Sequence, residues 1–211
     1  MNSFSCPSCG GKVLFKSGIS LYTTCSYCRQ CLIRDNLNIK SLGVEALLLE
    51  DMSPLQVGSM GSYDKKSFDV LGKIRWEWSA GFWNEWYLGF SSGTFAWLAE
   101  AQGFWMLSYP EKLPVEFTNK VFKVGDRLNL NSKVNFEIND IKKVKSCGYV
   151  GEVPQCALAN TEILVIDASG SDQLFASISQ SESETSLYIG KYVNFEDLQM
   201  TNLREIEGWS R

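Results

Sequence analysis

The sequence predicts a mainly β protein: an N-terminal four-cysteine zinc ribbon followed by a duplicated small antiparallel β-barrel or β-sandwich unit. Three observations carry this reading. Two Cys-x-x-Cys pairs stand fifteen residues apart near the start. Two later stretches resemble each other in the same order. Within them apolar and polar residues alternate with a period of two, the mark of a half-buried strand.

The cysteine pairs are Cys6-Pro-Ser-Cys9 and Cys25-Ser-Tyr-Cys28. Two residues between cysteines let the chain turn so that both sulfurs face one ion, and two such pairs make a four-thiolate zinc site. Gly10 and Gly11 follow the first pair, where a tight turn needs positive φ. One structural Zn²⁺ is therefore expected on Cys6, Cys9, Cys25 and Cys28; a redox pair or unconnected thiols are the plainer alternatives. Residues 12–16 and 19–23 should form the ribbon's hairpin, with Gly18 at its turn. Cys31, Cys147 and Cys156 read as small buried thiols rather than a second metal site.

The chain then divides into residues 1–40 as ribbon, 41–54 as a helical linker, 55–118 as a first β repeat and 119–211 as a second. The linker carries LGVEALLLEDM, a helix candidate that Pro54 would stop. The repeat shows in VGSMGSYDKKSFDVLGKI from Val57 against VGDRLNLNSKVNFEINDI from Val124. Both open on Val-Gly and reach Phe-acid-β-branched, Phe68-Asp-Val70 and Phe136-Glu-Ile138. EWYLGFSSG from Glu85 likewise resembles EILVIDASG from Glu162. A duplicated unit usually buries its apolar face against its copy. Residues 109–119, with two prolines, join the repeats; 179–186 read as a polar hairpin tip. After a last strand, the C-terminus should turn or form a short helix.

Registers follow inside the first repeat. Residues 74–78, Ile-Arg-Trp-Glu-Trp, connect through Ser79-Ala80-Gly81 to residues 82–90, and Ser91-Ser92-Gly93 makes the next turn. Three-residue loops place a left-handed residue last, where both glycines fall. Ile74 then faces Trp86, Trp86 faces Leu98, Gly89 faces Phe95, and Arg75 faces Glu85. One face is core: Trp76, Trp78, Trp86, Leu88, Phe90 and Leu98. The other holds Trp83, Tyr87, Phe95 and Trp97 among Lys73, Arg75 and Glu85. It is too aromatic to be left in water. Either the second repeat covers it, or Arg75, Trp83, Tyr87 and Trp97 form an interaction surface.

Charge and composition narrow the function. The chain has 20 basic and 24 acidic side chains and no histidine. Residues 1–40 carry five basic side chains against Asp35, a net +4, and the remainder is −8. Such a body repels phosphate backbones, so nucleic acid is not expected as a partner. Without histidine the commonest general base is missing. An enzyme would depend on carboxylates, with Glu77, Glu85, Glu100 or Glu152 as candidates; lone strand carboxylates are more often solvated or paired. No apolar run is long enough to span a membrane. The N-terminus lacks a secretory signal, so a cytoplasmic location is expected.

CPSCGG with CSYC, SPLQVGSMGSYDKKSFDVLGKI, WNEWYLGF, WLAEAQGFW, FKVGD and GEVP together resemble a bacterial family, the domain of unknown function DUF4178. Its members often carry an N-terminal zinc ribbon. The resemblance covers essentially the whole chain. It implies no particular activity and brings no catalytic residue. It does suggest a cytosolic accessory role, because similar proteins tend to be encoded beside polyamine-synthesis-like enzymes and membrane-associated remodelling proteins. Taken with the residues, the expectation is a non-enzymatic zinc-containing scaffold or adaptor that binds a protein partner. A carboxylate-based enzyme and a nucleic-acid-associated zinc ribbon are the alternatives.

Overall fold

The computed structural model describes residues 2–49, 51–118, 120–130, 134–182 and 184–206. Parts of the joining segment, the polar tip and the C-terminal turn therefore lie outside the described residues.

The head is built from β1 (Asn2–Ser5), β2 (Lys12–Phe15), β3 (Tyr22–Thr24), β4 (Gln30–Asp35) and β5 (Asn38–Glu45). β1 pairs with β2, and β3-β4-β5 make a second small sheet. The expected hairpin between residues 12–16 and 19–23 does not form. The backbone N–H groups of Lys16 and Ser17 turn away onto the Glu152 carboxylate, at 2.7 and 2.9 Å. The Ser17 hydroxyl then accepts from the N–H groups of Ile19 and Ser20. This bends the segment against the body.

The helix expected over 41–54 is also absent. β5 runs to Glu45, paired with β4, and residues 46–49 continue without regular structure. An isolated helix this short is marginal in water, and here Gly43 takes φ +73° while strand pairing captures the first half.

The body contains the same run of strands twice. The first is β6 (Met60–Tyr63), β7 (Lys66–Trp78), β8 (Gly81–Phe90), β9 (Phe95–Ala101) and β10 (Phe104–Glu111), ending in a 3-10 turn at Val115–Phe117. The second is β11 (Arg127–Asn129), β12 (Asn135–Gly151), β13 (Glu162–Ser169), β14 (Leu174–Gln180) and β15 (Thr185–Val193), ending in a 3-10 turn at Phe195–Leu198. Local bonding repeats too. Gly58 N–H donates to Val70 O and Val70 N–H to Ser59 O; Gly125 N–H donates to Ile138 O and Ile138 N–H to Asp126 O. The first sequence match thus marks equivalent backbone. The second does not align by structure. Gly89 opposes Phe95 as Ser169 opposes Phe175, which sets Glu85 beside Val165 and not beside Glu162.

Two copies make one closed eight-stranded barrel, because β7 pairs antiparallel with β12 and β10 with β15. Both seams need close approach. A Cβ on Gly72 would strike the Glu152 backbone, and one on Gly190 the Leu107 carbonyl.

The lumen core gathers Ile74, Trp76, Trp83, Tyr87, Trp97, Val144, Tyr149 and Val165, and Tyr22 and Cys31 of the head join it. Strands from both copies contribute, so this face points inward. A second core covers the outside of β7–β10, with Trp86, Leu88, Leu98 and Leu107 under Leu55 and Leu198. A third covers the outside of β12–β15, with Ile166, Ile178 and Leu187 under Phe117 and Phe122. Each copy's trailing segment therefore coats the other copy.

Trp86 faces Leu98 and Gly89 faces Phe95 as expected. The β7–β8 hairpin is shifted by one residue, however. Trp78 pairs with Gly81 across a two-residue loop, so Lys73 opposes Trp86, Ile74 opposes Glu85, and Arg75 opposes Asn84. Because side chains alternate, one residue of slip exchanges the faces of β7 from Gly72 to Trp78, and a bulge between Val70 and Gly72 leaves Phe68 and Val70 on the Trp86 side. Ile74 and Trp76 point inward, away from Trp86, and the Arg75–Glu85 pair does not form.

Candidate metal centre and the two cavities of the barrel

Two matching knuckles build the cysteine centre. Gly10 N–H donates to Cys6 O and Cys6 N–H to Gly11 O; Arg29 N–H donates to Cys25 O and Cys25 N–H to Gln30 O. Each turn needs positive φ after its second cysteine, which Gly10 (+75°) and Arg29 (+58°) supply. The Cys6 and Cys28 sulfurs lie 3.7 Å apart, as do those of Cys9 and Cys25. All four sulfurs lie within 4.8 Å of one another, so the cluster could hold a metal ion. Val13, Phe15 and Leu32 pack beneath it. The three remaining cysteines stay outside this cluster. Cys31 is buried as expected, but Cys147 is half-buried and Cys156 exposed.

The head is fixed to the barrel by Glu152, one of the acidic candidates, through the two N–H groups of Lys16 and Ser17. Around it, Tyr22 and Val153 exchange backbone hydrogen bonds and Gly151 N–H donates to Thr24 Oγ1. Ser17 reaches the Tyr87 hydroxyl at 3.4 Å. Burial pushes the Glu152 carboxyl up although both N–H donors pull it down. Its role is positional.

The four residues expected to form an interaction surface are all buried: Trp83 at 9% exposure, Tyr87 at 2%, Trp97 at 6% and Arg75 at 6%. Trp83, Tyr87 and Trp97 point into the lumen, where the second copy covers them. Arg75 lies on the other face. The structure does not bring the four together as one surface.

Arg75 belongs to a buried ionic cluster that sequence reasoning missed. Asp51 Oδ2 accepts from Lys73 Nζ at 2.5 Å, from Arg75, and from Asn84 Nδ2 at 2.9 Å. Arg204 donates to the Asp51 and Ser53 carbonyls. Glu100 accepts from Asn84 and the Trp86 indole N–H, at 3.1 and 3.0 Å. Burial alone would raise Asp51, but the Lys73 ammonium, with Asn84 and Arg75, holds it down at about 2. Lys73 is itself lowered by burial. The alternation Lys73-Ile-Arg75 was a signal for two buried cations; Asp51 was hidden within the expected helix.

This cluster floors an outer groove of about 2090 Å³. Leu47, Leu49, Met52 and Phe82 line it and are 69%, 81%, 59% and 52% exposed. Glu77 lines it too. A second cavity of about 360 Å³ lies in the lumen, bordered by Trp78, Trp83, Trp97, Phe175, Tyr188 and Tyr192. Glu85 and Asp167 face it. Glu85 accepts from the indole N–H groups of Trp76 and Trp83, at 2.9 and 3.2 Å. Asp167 accepts from Ser177 at 2.9 Å. Burial pushes both carboxyls up, against those donors.

Fold and centre together define a closed β-barrel headed by a four-cysteine knuckle. Residues 56–195 match the family described as Domain of unknown function (DUF4178). That is well over half of the chain, so the chain belongs to this family. No curated protein and no solved structure matches it.

Proposed function

We propose that this chain is a non-catalytic, zinc-containing cytoplasmic adaptor that binds an apolar segment of a protein partner in the outer groove. One observation carries the reading: Leu47, Leu49, Met52 and Phe82 stand exposed along a continuous groove beside the head. Interfaces place such apolar contact at their centre and leave charge on the rim. The charges of the groove floor already satisfy one another, which suits it to an apolar guest.

The metal is zinc. A tetrahedral ion bound at about 2.3 Å to four sulfurs sets them about 3.8 Å apart, close to the two observed 3.7 Å separations. Four thiolates leave no open coordination position, so the ion is structural. The hydrogen-bonding duties of Glu85, Glu100 and Glu152 support a non-catalytic reading. The acidic body supports a protein over a nucleic-acid partner, and the accessory role suggested by the family's polyamine-related and membrane-associated surroundings is compatible with it.

Affinity capture of tagged chain from its host tests this, with Leu47→Asp/Leu49→Asp as the comparison. A stoichiometric protein should co-purify with the parent and be lost from the double variant while the melting temperature holds. A partner retained by the double variant, or turnover of a metabolite by the parent, overturns the reading. Elemental analysis should find one zinc per chain, and none after Cys25→Ser/Cys28→Ser.

A further inference from the structure

We infer that the barrel lumen is a binding site for a small organic cation with an apolar body, a site separate from the outer groove. Eight strands give an interior that side chains either fill or leave room for one small ligand. This one leaves about 360 Å³, within the range of small-molecule pockets. Tyr22 and Cys31 of the head join the lumen core beside Tyr149, so that end is closed. The cavity lies toward the other end, bordered by Gln102 of the β9–β10 turn and by Ser169 and Phe175, which flank the β13–β14 turn.

The lining has the chemistry of an ammonium receptor. Indole and phenol faces attract cations through their ring quadrupoles, most strongly where water is excluded. Trp83, Trp97, Tyr188 and Tyr192 line it, and Glu85 and Asp167 add carboxyl groups whose ionised form a bound cation favours.

The protein's own Lys142 shows how a cation is held here. Its ammonium lies 5.2 Å from the Trp78 ring and 5.8 Å from that of Trp83. It also pairs with Asp140 at 2.5 Å and reaches Asp167 at 4.0 Å. Lys142 thus engages Asp140 and Asp167, and Glu85 has no such companion. Among the described residues no lysine or arginine lies within salt-bridge distance of Glu85, whose two donors are both neutral indoles. A buried carboxylate without a counter-charge is costly. A ligand ammonium entering the cavity supplies it.

Three soluble probes of similar shape test the inference on the full-length protein: phenethylammonium, neutral 2-phenylethanol and anionic phenylacetate. Calorimetry should give one site for phenethylammonium, bound at least tenfold more tightly than 2-phenylethanol, with phenylacetate not bound. Glu85→Gln should remove that tenfold preference and leave the alcohol unchanged. Asp167→Asn, a separate substitution, should weaken only the cation. Nuclear Overhauser contacts on the unsubstituted protein should connect the probe to the Trp83 and Trp97 rings. Equal affinity for ammonium and alcohol, an unchanged preference in Glu85→Gln, or contacts to Phe82 and Trp105 of the outer groove would overturn it. Leu47→Asp/Leu49→Asp should keep cation binding, so failure of the adaptor reading and failure of this one are told apart.

Discussion

Glu85 and Asp51 are buried carboxylates handled in opposite ways, and pH should separate them. Asp51 is held down at about 2 from 3.8. A depressed carboxylate stabilises the fold above its unfolded value and loses that contribution as pH falls toward 2. The size is about 2 kcal/mol. Glu85 is raised, so its ionisation weakens the fold, and stability returns as pH falls from above its folded value through the ordinary carboxylate range. Glu85→Gln should therefore melt higher than the parent at pH 7, and the gap should close on acidification. A gap that widens toward low pH would contradict this. Asp51→Asn should cost about 3–5 kcal/mol in urea unfolding, because Lys73 and Arg75 would remain buried without their anion. Trp86→Ala should cost a similar amount for a different reason, an empty space under Leu55 and Leu198. At this scale the sequence disclosed alternation well and register poorly. Whether Gly81 closes a three-residue loop or pairs directly with Trp78 depends on neighbours far along the chain. One residue of slip decided where the side chains of β7 from Gly72 to Trp78 point.

The ribbon and the linker are the elements whose local signals diverged. The knuckles were legible because a metal site fixes its own spacing. The linker was not, since residues 42–49 have helical composition yet the first of them, 42–45, complete a sheet with β4 and the rest take no regular structure. Metal removal should act on the ribbon alone at first, because binding free energy becomes folding free energy only for the segment it ties down. With zinc chelated, hydrogen exchange should accelerate through β1–β4, while β8, β9, β13 and β14 keep their protection. Uniform acceleration would show instead that head and barrel fold as one unit. Glu152→Gln should loosen the head's dock without releasing the ion, seen as faster exchange at Lys16 and Ser17 with zinc content unchanged.

Across the whole molecule, the duplication was visible in Val-Gly and Phe-acid-β-branched, but closure of the copies into a single barrel was not. Closure depends on β7 meeting β12 and β10 meeting β15, contacts between strands far apart in sequence that carry no local mark beyond Gly72 and Gly190. The lumen aromatics looked like a surface because half of their covering lies in the other copy.

Those two seams have a further meaning. Each joins a strand to its own counterpart, the first barrel strands β7 and β12 and the last β10 and β15, and each pairing is antiparallel. Only a twofold axis through the barrel does that, the arrangement of a symmetric dimer in which one patch contacts itself. The chain therefore reads as a fused dimer, with residues 112–126 as the tether. Cutting the tether should do little harm: residues 1–118 and 120–211, produced together, should assemble one to one. If the fragments never associate, the covalent link is doing more than the symmetry requires. Fusion also freed the two halves to differ, and they have. One lumen position carries Glu85 on one side of the axis and Val165 on the other, so at that position a cavity born symmetric now sets a carboxyl group against an apolar side chain.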